Sequence, residues 1–303
     1  MKNCTIIYNP VSGKKQFVNK LPKVTKRFEE AGYKVTLKET KRQKHAIDLA
    51  KEACIEEVDL LVIAGGDGTI HECVNGIAQS DFRPKIGYIP SGTACDIAGT
   101  LKISKNVDKA VDIILMDNVA KMDIAKSNNG YFLYVTAIGT YVDISYVTDS
   151  KLKKYFGYFA YVYTGIKEFF TIPMMKGKIV YDDGDYRGYF SLILVLNSKK
   201  VAGFNVVEKP VLDDGLVDVV LYRYVPFLNN LIFFVSFFIT PKALPFVHKF
   251  RTSKLKIYTD SNHKWNTDGE ESNSGNVSIE VIRQAIDIIV NPKIKHKLFK
   301  EEE

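Results

Sequence analysis

Two patterns of apolar and polar residues alternate through the first 120 positions of this 303-residue chain. Short β-branched runs at 4–8, 34–38, 60–64 and 86–89 predict strands. Between them lie longer runs with apolar residues three and four apart. The segment 17–31 puts Phe17, Val18, Leu21, Val24 and Phe28 on one helical face, and 45–54 and 70–78 repeat the pattern. Strand–helix–strand alternation predicts an open α/β domain, a parallel sheet with helices on both faces.

After about Lys121 the helical period fades. Strand-like runs follow at 132–137, 178–181, 188–196, 217–222, 255–259 and 277–281. Turn chemistry separates them at Asp182-Asp183-Gly184-Asp185, Asp213-Asp214-Gly215 and Ser274-Gly275-Asn276. A second, mostly β domain is expected, interrupted by an aromatic-rich helical segment, 152–170, and an apolar one, 226–249. There is no internal repeat, and the one biased stretch is a charged tail at 293–303.

Hydrophobic residues at 46% and charged residues at 25% exclude disordered, collagenous and coiled-coil chains. The longest apolar run, 231–239, is nine residues broken by Ser236, too short to span a bilayer. The first apolar run ends in Asn9-Pro10 instead of extending into a secretory signal, so a cytoplasmic location is expected. Cys4, Cys54, Cys73 and Cys95 form no C-x-x-C pair and read as reduced thiols. A net charge of +7 suits an anionic membrane, a nucleic acid or a phosphorylated substrate without choosing among them.

The chemistry begins at Gly65-Gly66-Asp67-Gly68-Thr69, directly after the apolar strand 60–64 and before a helical run. Ligands of α/β sheets bind beyond the carboxyl ends of strands. Three glycines let backbone amides approach a phosphate chain that side chains would obstruct. Asp67 suits a role beside those phosphates, through a metal ion or through water bound to one. Asn9-Pro10-Val11-Ser12-Gly13-Lys14 and Pro90-Ser91-Gly92-Thr93-Ala94 occupy equivalent strand ends, so all three loops are expected to line one crevice. None is a Walker A loop.

These loops, with the turn from Asp213 to Asp218 and Asp268-Gly269-Glu270, resemble the diacylglycerol kinase catalytic-domain family, and within it the soluble bacterial lipid kinases related to sphingosine kinases. The resemblance covers nearly the whole chain. It implies an α/β nucleotide-binding domain, similar to those of NAD kinases and phosphofructokinases, followed by a β-sandwich lipid and catalytic domain. Residues 1–121, completed by 291–303, would form the first and 122–290 the second, with the active site between them. It implies ATP and Mg2+ as cofactors. Asn9, Pro10, Val11, Ser12, Gly13, Thr40, Gly66, Asp67, Gly68, Thr69, Ile70, His71, Glu72 and Thr93 would line the nucleotide site. Asp268 and Glu270 resemble a catalytic acidic pair, one carboxylate taking the proton of the lipid hydroxyl as it attacks the γ-phosphate, with Asp67 beside the phosphates. Val211, Asp214 and Leu216 match positions that hold a structural Mg2+ in some bacterial members, largely through main-chain oxygens.

Two departures stand out. Cys95 lies in Gly92-Thr93-Ala94-Cys95-Asp96 where the family commonly has an amide, and the stretch around Gly203 before the Asp213 turn has few glycines.

The expected activity is transfer of a γ-phosphate to a lipid hydroxyl, with diacylglycerol leading as acceptor; a sphingoid base, ceramide or another glycerolipid stays open. NAD kinase, which shares the glycine cradle, and a degenerate lipid- or nucleotide-sensing protein are the alternatives. A lipid acceptor implies peripheral contact with the inner face of the membrane. Lys151, Lys153, Lys154 and the aromatic run 155–163, which contains the family-pattern residues Gly157 and Tyr161, offer interfacial chemistry. So do Phe227, Phe233, Phe234, Phe237, Phe238, Phe246 and Phe250; core packing is the alternative for most of these rings. The five histidines form no zinc set, no serine lies in a G-x-S-x-G elbow, and no nucleic-acid module is present. If the protein self-associates, a two-fold dimer is the default.

Overall fold

A computed structural model describes residues 1–128, 130–139, 174–201, 203–234, 244, 246–260 and 262–300. The expectations for 151–163, for Phe237 and Phe238, and for the side chains of Phe233 and Phe234 lie outside the described residues. Of the remaining rings, Phe246 and Phe250 pack against cores, while Phe227 is fully exposed.

In the N-terminal half, β1 (Lys2–Tyr8), β2 (Tyr33–Glu39), β3 (Leu60–Gly65) and β4 (Lys85–Pro90) pair in parallel in the order 2-1-3-4. Helices α1 (Gln16–Glu30), α2 (His45–Ile55) and α3 (Asp67–Ile77) connect them. β3 is buried along its whole length, which explains its uninterrupted apolar run. Strand order reverses at β1, with β2 on one side and β3 on the other, and such a switch point opens a crevice at the strands' carboxyl ends.

The helix expected at 70–78 begins earlier, at Asp67. Gly66 is extended (φ −89°, ψ −172°), and its carbonyl accepts from the amides of Thr69 and Ile70 at 3.1 and 3.2 Å. That first turn carries no apolar residue except Ile70, so hydrophobic periodicity could not register it. Two helices after β4, α4 (Asp96–Thr100) and α5 (Val107–Leu115), were also not anticipated.

The β-rich half comprises β5 (Val119–Ser127), β6 (Gly130–Phe132), β7 (Val135–Gly139), β8 (Met175–Tyr181), β9 (Gly184–Leu196), β10 (Lys200–Val201), β11 (Phe204–Asn205) and β12 (Val217–Arg223). After the short α6 (Asn229–Phe234) come β13 (Val247–Thr252), β14 (Lys254–Thr259), β15 (Lys264–Thr267), β16 (Glu270–Ser274) and β17 (Val277–Ile289), then α7 (Pro292–Leu298). In β9, Phe190, Ile193 and Val195 face a second core with Trp265 and Ile257, while Leu192, Leu194 and Leu196 face the larger first core. Burial on both faces accounts for its apolar run.

β17 joins the two halves. It pairs with β14 at one end and, through Ile288, with Ile86 of β4 at the other, while β5 runs antiparallel beside it. β5 itself passes through residues 121 and 122 without a break. The register between β5 and β17 shifts between Ile282 and Ile286, where Gln284 has φ +49°. Asp123, fully buried, holds this bulge by accepting from the Gln284 amide at 2.7 Å and from the Gly215 amide at 2.6 Å. The C-terminal segment packs on the 212–213 turn: the Leu212 amide donates to the Leu298 carbonyl at 2.8 Å, and the Lys300 amide reaches both Asp213 oxygens at 2.9 and 3.0 Å. All four cysteines are buried free thiols. Among the described residues, no helix is long and apolar enough to cross a membrane.

Candidate active site

The loops after β1, β3 and β4 meet at the switch point. The Asn9 amide extends the β1–β3 ladder to the Ala64 carbonyl (3.0 Å), and the Asn9 side chain closes a turn by accepting from Val11 N at 3.1 Å. Thr40 lies alongside, its amide on the Tyr8 carbonyl at 3.0 Å. Ser12 and Ser91 share a hydroxyl–hydroxyl bond of 2.7 Å, and Ser91 N donates to the Gly65 carbonyl at 2.9 Å. Backbone contact is tight enough to require glycine. Gly13 has φ +54°, and a β-carbon there would fall 1.9 Å from the Ser91 carbonyl oxygen; one on Gly92 would fall 2.6 Å from the Gly66 α-carbon.

Within the cradle the residues diverge in role. Thr69 and Ile70 are buried, with Thr69 packed over Gly65. Glu72 caps the start of α2, accepting from the amides of Lys44 (2.8 Å) and Ala46 (3.2 Å). The exposed Thr93 has its carbonyl on Lys105 Nζ at 2.6 Å. Pro10 and Val11 stand at the open side of the loop.

Asp67 begins α3, where the amide ends of the helix favour anions. Its Oδ1 is buried with no hydrogen-bond partner. Burial, together with the charge of Asp96, pushes its carboxyl up to about 6, against the backbone amides of Asp96, Cys95 and Ile97. A buried, partnerless carboxylate oxygen at the mouth of a glycine cradle fits a divalent cation carried in with phosphates. Cys95, the residue that departs from the family, adopts left-handed φ 54°, ψ 57°, a conformation that asparagine takes more readily than cysteine.

Asp268 and Glu270 belong to the β15–β16 hairpin. Asp268 (φ +52°) and Gly269 (φ +89°) form its two-residue turn, the Asp-Gly pairing that hairpins with two left-handed residues favour. The turn sends the two carboxylates to different places. Asp268 is buried and accepts four hydrogen bonds: from His71 Nδ1 at 2.9 Å and the amides of Leu133, Tyr134 and Val135 at 2.6, 3.0 and 2.9 Å. Glu270 is exposed and reaches the cradle, its Oε1 lying 3.1 Å from where a β-carbon on Gly68 would stand. Its Oε2 accepts from Gln43 Nε2 at 3.4 Å. Gly68 and Glu270, 202 positions apart in sequence, thus share one cleft.

At the Asp213 turn, the Arg251 guanidinium grips both Asp214 oxygens, at 2.7 and 3.0 Å, and Leu216 N donates to Asp214 Oδ1 at 3.2 Å. Asp218 lies 3.5 Å from Arg251 Nε; burial pushes its carboxyl up to about 6, Arg251 pulling down and Asp214 up. Among the described residues no acidic or histidine cluster is arranged to hold a metal ion. Of Val211, Asp214 and Leu216, expected around a structural Mg2+ largely through main-chain oxygens, only Asp214 would offer a side chain, and both of its oxygens face Arg251.

Sequence reasoning did not single out Gln43, Asn75, Asp96 or Arg251. Asp96 was legible, since it closes the quoted Gly92–Asp96 motif, and Asn75 lies one helical turn beyond His71. Gln43 and Arg251 carried no signal.

Residues 3–127 match the profile of the diacylglycerol kinase catalytic domain. A diacylglycerol kinase of Staphylococcus carnosus (strain TM300) is 38% identical over 223 residues, 73% of this chain and 73% of its own. One from Staphylococcus epidermidis (strain ATCC 12228) is 41% identical over 224 residues, 73% of this chain and 70% of its own. A candidate diacylglycerol kinase from Bacillus anthracis str. Sterne superposes with a TM-score of 0.84 at 27% identity, over 97% of this chain and 96% of its own. Shared sequence through most of the chain and shared fold through nearly all of it lead to one conclusion: this chain belongs to the diacylglycerol kinase family of lipid kinases.

Proposed function

We propose that this lipid kinase transfers the γ-phosphate of ATP to the free hydroxyl of diacylglycerol, yielding phosphatidic acid and ADP. The observation that carries the reading is the approach of the Glu270 carboxylate to Gly68 at the mouth of the α3 cradle. Phosphoryl transfer asks chiefly for positioning and charge neutralisation. The loops of Asn9–Gly13 and Gly66–Thr69 would supply backbone amides to the phosphates, with Thr40 and Thr93 at the margins. Glu270 takes the proton of the lipid hydroxyl as its oxygen bonds to the γ-phosphorus and the bond to the ADP oxygen breaks. Asp268, with four hydrogen bonds already accepted, has no free position for that proton and anchors the turn instead.

Asp67 is the residue that would hold a Mg2+ arriving with the nucleotide; such an ion neutralises phosphate charge. No second, structural ion is part of the reading. A diacylglycerol acceptor requires the protein to work at the cytoplasmic face of a bilayer as a peripheral enzyme.

The test is transfer of labelled γ-phosphate from Mg-ATP to diacylglycerol, ceramide, a sphingoid base and NAD, the lipids in mixed micelles. Label in diacylglycerol, lost in Glu270→Gln, is the expected result. Label in another lipid changes the acceptor, label in NAD alone removes the lipid reading, and full turnover by Glu270→Gln removes the base.

A further inference from the structure

His71 is explained by neither the cradle nor the core. It lies on α3 one turn beyond the phosphate loop, partly buried, and its ring spans the gap to the Asp268 turn. Asn75, one turn further along α3, lies against the ring's other nitrogen. The Asn75 Oδ1 accepts from Tyr131 N at 2.8 Å, and its Nδ2 donates to the carbonyls of Tyr131 (2.8 Å) and His71 (3.0 Å), which sets the amide's orientation. An amide nitrogen therefore faces His71 Nε2 at 3.4 Å. Because the Asp268 carboxylate opposite Nδ1 can only accept, a neutral ring carries its proton on Nδ1, aimed at Asp268 Oδ2, and a charged ring carries one there too. The bond to Asp268 survives either charge state.

We propose that His71 is a positioning residue for phosphoryl transfer: through Asp268 it pins the 268–270 turn to the helix that bears the phosphate cradle, and so sets where Glu270 stands over Gly68. The turn is gripped from the same half at its other end, since Gln43 donates to Glu270. Asp268 and Glu270 are both held by side chains from the nucleotide-binding half, and cradle and base share one frame through α3. The three amides of residues 133–135 fix Asp268 within its own half. His71 is its side-chain partner from the other. This proposal rests on the reading of Glu270 as the base.

The experiment uses the full chain with Mg-ATP and the lipid that accepts label. The variants are His71→Asn, whose amide nitrogen takes the place of Nδ1, His71→Gln, whose nitrogen lies nearer Nε2, and His71→Leu. Turnover is measured at saturation and ATP affinity by calorimetry. The proposal expects kcat to fall about 10- to 100-fold in His71→Leu, the scale of a misplaced reacting group. ATP affinity should stay within about twofold, because the ring, expected from the sequence to line the nucleotide site, has both nitrogens turned to Asp268 and Asn75 instead. His71→Asn should recover most of the lost turnover and His71→Gln much less. If His71→Leu does not fold, the Asn and Gln pair alone decides, since both are polar and differ in where the donor sits.

Equal turnover in His71→Asn and His71→Gln, or an ATP affinity loss that accounts for the whole defect, would overturn the positioning role. Glu270→Gln is measured in parallel, and high activity there removes the base assignment whatever the His71 series shows. A kcat loss ordered Leu, Gln, Asn beside an active Glu270→Gln would mean that His71 positions the turn for another base.

Discussion

Glu270 and Gly68 stand so close that a methyl group on the glycine would lie 3.1 Å from the glutamate Oε1. Gly68 lies in the first turn of α3, and no left-handed backbone geometry demands glycine there. Its absent side chain is what admits the carboxylate. Gly68→Ala should hold or raise the melting temperature, as alanine does in helices, yet lower kcat about tenfold or more by displacing Glu270. A variant with normal turnover would show that Glu270 works elsewhere.

Asp67 sets stability against activity. Burial, with the charge of Asp96, pushes its folded carboxyl up to about 6 from the ordinary 3.8. Between those values the folded protein keeps a proton that the unfolded chain has released. Stability therefore falls as pH rises through that window and stays reduced above it, by about 3 kcal/mol at most. Asp67→Asn should melt several degrees higher than the parent at pH 7.5 without nucleotide, with the gap shrinking toward pH 4, and should lose phosphate transfer. Melting curves across pH check the first claim, the transfer assay the second.

The two carboxylates of the β15–β16 turn should fail differently. Asp268→Asn replaces one of the oxygens held by three amides and an imidazole with a donor, so it should cost about 2–4 kcal/mol of stability and depress turnover with it. Glu270→Gln, on the surface, should shift the melting temperature little while turnover falls about 100-fold or more, the scale of a general base. Denaturant titrations beside kcat separate the two.

Arg251 neutralises Asp214 and approaches Asp218, directly across from it on the β12–β13 pair. Arg251→Met would take the guanidinium from the nearly buried Asp214 and from beside Asp218, a loss of about 1–3 kcal/mol near neutral pH for a pair whose arginine is partly exposed. Protonation relieves unpaired carboxylates, so the deficit should narrow below pH 6. Mg2+ and chelator should leave the parent's nucleotide-free melting temperature unchanged, because both Asp214 oxygens are already held by the Arg251 guanidinium.

The α/β half was readable because its inner strands β1, β3 and β4 are buried on both faces and its helices show one apolar stripe; residues 60–64 and 17–28 are the clearest cases. The three loops were readable from glycine and from their place after strands. What stayed hidden depends on pairing at a distance. β17 looked like a five-residue strand at 277–281 because its continuation, Arg283-Gln284, is polar, and only the bulge held by Asp123 lets the strand resume. The different fates of Asp268 and Glu270 follow from two consecutive left-handed residues, which the Asp-Gly pair suggests and no hydrophobic pattern reveals. Arg251 as the partner of Asp214 required the β12–β13 pairing, where Asp218 stands directly across from Arg251.

The ribbon of β5 and β17 bears on how the cleft can move. Two strands bonded to each other on both sides of a single irregularity make a torsion bar, stiff to bending and softest where the register shifts at 282–286. The two halves are thus joined by a paired ribbon rather than by a slack tether. The Asp123 carboxylate, tied to Gln284 on the bar and to Gly215 beside it, is the rivet at the pivot.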